Sequence, residues 1–126
     1  MSEALVDAFL GGHIDNRAFR HADHLRVGFD LLQRHDFPQA AARLSTGLRA
    51  IAARAGAPGA YHETITLAFL ALIAERRASG GHRAFEPFAR DNPDLADKTI
   101  LRRWYAPERL GSPLARQTFL LPEPAR

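Results

Sequence analysis

The ten residues Ile65 to Ala74, ITLAFLALIA, carry one hydroxyl and no charge. Wound as an α-helix, such a run is apolar on every side, so it has no face to turn toward water and needs neighbours all round it. It is too short for a bilayer, which takes ~20 apolar residues to cross. Breakers bound it: the glycines and proline of Gly56 to Gly59 before, Ser79-Gly80-Gly81 after. They predict a helix from Tyr61 to about Ala78, wrapped by the rest of the chain.

The remaining punctuation supplies the wrapping. Gly11-Gly12, His35 to Pro38, Asn92-Pro93 and Ser112-Pro113 divide the chain into segments whose apolar residues recur at three and four, with no useful strand alternation. Ser2 can cap a first helix ending near Leu10. A second helix is expected from about Ala18 to His35. Asp36 and Gln39 form a capping box for a third, which runs to about Ala55 with Pro38 in its first turn. Beyond Gly81, Pro87 predicts a short or broken helix around Phe85 and Phe88. A further helix is expected from Asn92-Pro93 through Tyr105, then a turn or two from Ser112-Pro113. At 126 residues, 46% of them hydrophobic, the chain suits one domain, residues 1–126. The expected fold class is all-α: a single-domain bundle of four main helices with additional short C-terminal helices.

Composition narrows the chemistry. With no cysteine, disulfides, thiolate metal sites and a cysteine nucleophile are all excluded. Any metal must be held by nitrogen and oxygen. The N-terminus has no cationic region ahead of an apolar run, so a cytoplasmic protein without a membrane partner is the expectation. The net charge of +3 is spread along the chain among fourteen acids, and Arg76-Arg77 and Arg102-Arg103 fall near helix C-termini, where cations complement the dipole. No nucleic-acid partner is expected. No phosphate loop, dinucleotide fingerprint or serine-hydrolase elbow occurs, and oligomeric state is not legible.

The second helix holds an anomaly. In FRHADHLRVGFDLL, Phe19 to Leu32, His21 and His24 occupy the stripe shared by Leu25, Leu32 and Gly28, while Arg20, Asp23, Arg26 and Asp30 fall outside it or on its margins. Gly28, one turn beyond His24, suggests room made beside the imidazoles. A buried imidazole left without partners costs ~1–3 kcal/mol, so two on one stripe demand a purpose. At i, i+3 their rings lie on one side of the helix, a spacing that suits two ligands of one metal ion.

A second constellation, YHETIT, Tyr61 to Thr66, opens the central helix. His62 shares a side with Thr66, Phe69 and Ile73. If the second and fourth helices are neighbours, His21, His24 and His62 can converge as three nitrogen ligands of a divalent ion, zinc or iron, with a position open for water or a small-molecule substrate. Glu63 is then a candidate catalytic base on metal-bound water, or simply a first-turn acid complementing the dipole. Tyr61, Thr66 and Arg26 are candidate ligand-binding residues. The leading expectation is a metal-binding helical protein acting on a small molecule. The alternatives are a metal-free pocket for a polar or anionic metabolite, where protonated histidines near Arg26 would favour a carboxylate, and a protein-interaction module with a structural histidine network. His13 and His82 read as surface residues, and His35 as a cation at a helix end.

FRHADHLRVGFDLL, followed by APGAYHETITLAFLALI and LRRWYAPERLGSPLARQTFLLPE, resembles a family of small, uncharacterised bacterial all-helical proteins that carry F-x-H-x-x-H-L-R and Y-H-E-T-I-T segments. The resemblance spans about Phe19 to Glu123. It implies that the two histidine segments form one unit and implies no activity or cofactor. Pro122-Glu123 stands where that pattern often has Pro-Asp.

Overall fold

The computed structural model describes residues 2–15, 17 and 19–124, with backbone alone for residues 2–4, so the expected cap by the Ser2 side chain and a helix start at Ala18 lie outside the described residues. Among them there is no strand. The main helices are α1 (Ser2–Leu10), α2 (His21–Arg34), α3 (Phe37–Arg54) and α4 (Glu63–Gly80), followed by the shorter α5 (Phe85–Asp91), α6 (Pro107–Leu110) and α7 (Pro113–Gln117). The fold is all-α, and no helix among the described residues is long and apolar enough to cross a membrane.

Side-chain acceptors set the starts of α2, α3 and α4, as Ser112 Oγ does for α7 by accepting the Ala115 N–H at 3.1 Å. Asp23 accepts the Arg20 N–H at 2.9 Å, so α2 begins at His21, and Asp36 accepts the Gln39 N–H at 3.1 Å ahead of α3. His62 takes the corresponding place on α4: its Nδ1 accepts the Ile65 N–H at 3.1 Å. The helix predicted from Tyr61 therefore starts two residues later, because an imidazole acts as its cap.

Two apolar clusters share α2 and α4. On one side, Leu25 and Phe29 meet Phe69 and Ile73 beneath Phe85, Phe88, Leu95, Leu101 and Tyr105 of the C-terminal elements. On the other, Val27, Leu31 and Leu70 pack with Val6 and Phe9 of α1 and Ala40, Leu44 and Leu48 of α3. The expectation of a central fourth helix holds, and α2 is equally central. Asp30, assigned to a solvated margin, is buried because α1, α3, α4 and α5 all pack against α2.

Gly28 makes no space beside the histidines. A Cβ there would lie 3.2 Å from Ile73 Cδ1 and 3.4 Å from Leu70 Cδ1, so the glycine lets α2 approach α4 closely. Gly47 serves α1 in the same way, since a Cβ at that position would overlap the Phe9 ring.

The helix expected from Asn92 through Tyr105 is instead two 3-10 turns, Pro93–Ala96 and Ile100–Arg103. Asp97 breaks it: its Oδ1 accepts both the Thr99 N–H at 2.8 Å and the Thr99 hydroxyl at 2.7 Å. Short polar side chains compete with helical backbone bonds in this manner. In a continuous helix the Thr99 N–H would bond the Leu95 carbonyl, which is thereby left for another donor. α5, by contrast, runs unbroken through Pro87, whose missing N–H falls in the first turn.

Candidate functional site

His21, His24 and His62 line one cavity of about 390 Å³ between the first turns of α2 and α4 and the C-terminal half of α3. Most of its wall is apolar: Phe19, Leu25, Leu44, Leu48, Ile51, Ile65, Phe69 and Leu70 contribute, with the exposed Ala55, Ala57 and Ala60 at its rim. Volume and lining match those of small-molecule pockets, which run ~300–1,000 Å³ with a few placed polar groups. The three rings share this cavity because α2 and α4 are neighbours, but they are not gathered as the three-nitrogen ligand set expected from the sequence.

The three imidazoles are not equivalent. His62 has both nitrogens committed to backbone: Nδ1 accepts from Ile65 N–H, and Nε2–H donates to the Leu110 carbonyl at 2.7 Å. Leu110 ends α6, and Pro113, lacking an N–H, follows shortly after; a carbonyl at a helix end needs an outside donor. In this arrangement His62 holds no lone pair for a metal. Its position explains why: a cap must face its own helix end.

His21 uses one nitrogen. Nε2–H donates to the Leu95 carbonyl at 2.9 Å, the carbonyl left over by the Asp97 break, and the ring stands edge-on to Phe69 at 4.9 Å between centroids. Nδ1 is then the acceptor of a ring that lines the cavity. His24 stacks on Phe19 at 4.6 Å, and neither of its nitrogens has a hydrogen-bond partner among the described residues. Burial, seconded by the neighbouring His21, lowers its pKa from 6.5 to about 4, against a smaller opposing pull from Asp23. His24 is neutral at pH 7, with one donor and one acceptor unspent.

Thr66 and Tyr61 also line the cavity. Thr66 donates its hydroxyl hydrogen to the His62 carbonyl at 2.7 Å, leaving its oxygen as an acceptor. Tyr61 donates to Glu63 Oε1 at 2.5 Å and lies 3.0 Å from Ser45 Oγ. Burial and the Glu63 carboxylate hold its pKa above the ordinary phenol value.

Two sequence candidates lie elsewhere. Glu63 is not part of the wall: besides Tyr61 it receives Ser45 and Arg49, each at 3.4 Å, on the α3 side of the α4 start. That placement corrects the expectation of a base poised over the histidines and fits the first-turn acid. Arg26 points away, donating to Glu86 at 2.5 Å and covering the Phe85 ring at 4.8 Å. The predicted arginine beside protonated histidines is therefore corrected as well. Among the described residues no group of three or more His, Asp or Glu side chains is gathered for a metal ion. His82, expected at the surface, tucks against Phe88 and donates through Nε2 to Asp91 at 2.9 Å.

What sequence reasoning missed is the α3 wall, Leu44 to Ala52. Its spacing of three and four was visible, but only docking against α2 and α4 makes it a cavity wall rather than core. No family model, curated protein or solved structure matches the chain.

Proposed function

We propose that the protein binds a small, largely apolar molecule in the cavity between α2, α3 and α4, with His21 and His24 as its polar recognition end and without a required metal. One observation carries the reading: an apolar cavity of about 390 Å³ has, on its wall, an imidazole with no hydrogen-bond partner among the described residues beside another with one nitrogen uncommitted. Unspent polar groups in an apolar wall carry a desolvation cost that a ligand can offset. His62 belongs to the scaffold, joining α4 to α6, and Tyr61 and Thr66 shape the cavity's edge.

The test is a fragment screen by protein-observed NMR at pH 7.5, with EDTA present. The expected result is saturable shifts confined to residues around Phe19, His24, Leu48 and Thr66, lost in a Leu48→Trp variant that fills the cavity. Shifts scattered over the surface, or none, would remove the reading.

A second reading rests on the adjacency of His21 and His24, close enough for a charge on His21 to act on His24. These two rings could hold a zinc or iron ion with open positions for a substrate. It requires stoichiometric metal in protein purified without a histidine tag, lost in His21→Ala and His24→Ala and retained in His62→Asn.

A further inference from the structure

The charge and hydrogen-bond inventory of the cavity narrows what it can hold. This inference rests on the pocket reading above. Among the described residues no arginine, lysine, aspartate or glutamate lines the wall. An ionised group placed there would surrender its hydration without a counter-ion, and buried unpaired charge is strongly disfavoured. Asp23 and Lys98 act on His24 from outside the lining, and in opposite directions. Several polar groups on the wall are already spent: both nitrogens of His62, the Thr66 hydrogen, and the Tyr61 hydrogen. What remains is acceptor-rich: His21 Nδ1, the Thr66 oxygen, and one nitrogen of His24, against a single N–H on His24. A carboxylate brings only acceptors and would find one donor, the His24 N–H, among acceptors. A hydroxyl brings one donor and two lone pairs, which matches an imidazole acceptor beside an imidazole N–H.

We infer that the occupant is an uncharged, mainly hydrocarbon molecule bearing a hydroxyl, a phenol or an alcohol, whose O–H donates to the imidazole pair of His21 and His24 while its body lies against Phe19, Leu48 and Phe69. The backbone bond from His21 to Leu95 sets this selectivity, because a proton held on Nε2 leaves Nδ1 to accept.

Calorimetric titration at pH 7.5 with para-propylphenol, propylbenzene, para-propylbenzoate and para-propylbenzylamine separates the contributions, since the four share a skeleton and differ in head group. The phenol should bind about tenfold more tightly than propylbenzene, the worth of one well-made hydrogen bond, and more tightly than either ion. In His21→Leu that advantage should vanish while propylbenzene keeps its affinity; should this variant not fold, the wild-type ranking alone decides. Tighter binding of the benzoate or the benzylamine, or equal binding of phenol and propylbenzene, overturns the hydroxyl assignment and leaves the pocket standing. No binding by any of the four, together with unmoved ring resonances of His21 and His24, removes both.

Discussion

At the scale of single residues, three histidines that look alike in sequence perform three tasks. His62 caps a helix and anchors a carbonyl, His21 anchors a carbonyl and keeps one lone pair, and His24 keeps everything. Desolvation holds the His24 pKa near 4 in the folded protein, against 6.5 for the free side chain. Because the folded value is the lower one, the unfolded chain binds more protons between these values, and stability falls as pH drops through that window. The contribution is complete above about pH 6.5 and is worth on the order of 3 kcal/mol by the linkage constant. Urea unfolding measured from pH 7.5 to 4.5 should show this loss, and His24→Phe should flatten it by removing the titrating ring. A histidine resonance in that region titrating near 6.5 would contradict the assignment.

Among the elements, contacts are decided where side chains are missing as much as where they are present. α1 lies on α3 through the Phe9 ring, which occupies the space a Cβ at Gly47 would need. Gly47→Ala should therefore cost about 1–3 kcal/mol as an overpacking change, even though alanine favours helix. Phe9→Leu combined with Gly47→Ala should recover part of it, because the smaller side chain vacates the space. Equilibrium unfolding of the single and double variants checks this, and strict additivity of the two changes would show that the residues do not meet. The pairing is invisible in a hydropathy pattern, since glycine registers there as a weak, non-specific signal.

For the molecule as a whole, polar bonds at a few points add to the apolar cluster that seats the C-terminal third on the helical body. Thr64, fully buried on α4, donates to the Thr118 carbonyl at 2.7 Å and accepts the Leu120 N–H at 3.1 Å; Tyr105 donates to the Leu120 carbonyl at 2.8 Å. Thr64→Val keeps the shape and removes both bonds, taking the partner from the part-buried Thr118 C=O and Leu120 N–H, at a cost of about 1–2 kcal/mol. Amide hydrogen exchange should then quicken at Leu120 far more than in α2. Unchanged protection at Leu120 would mean that the tail is held by apolar contacts alone.

Periodicity and punctuation were sufficient for the all-α class, the four main helices and the central place of α4, because an apolar run without a polar face admits few surroundings. The same local pattern put His21 and His24 on one inward stripe, and the cavity they share with His62 followed from the adjacency of α2 and α4. The tasks of those rings were not legible, for they depend on which backbone carbonyls other segments leave unpaired. Asp97 frees Leu95 and the end of α6 frees Leu110, and these carbonyls lie 74 and 48 residues from the histidines that reach them. Hydrogen bonds of that separation are set by how the elements dock, so tertiary structure alone decided which imidazole was left without a partner among the described residues.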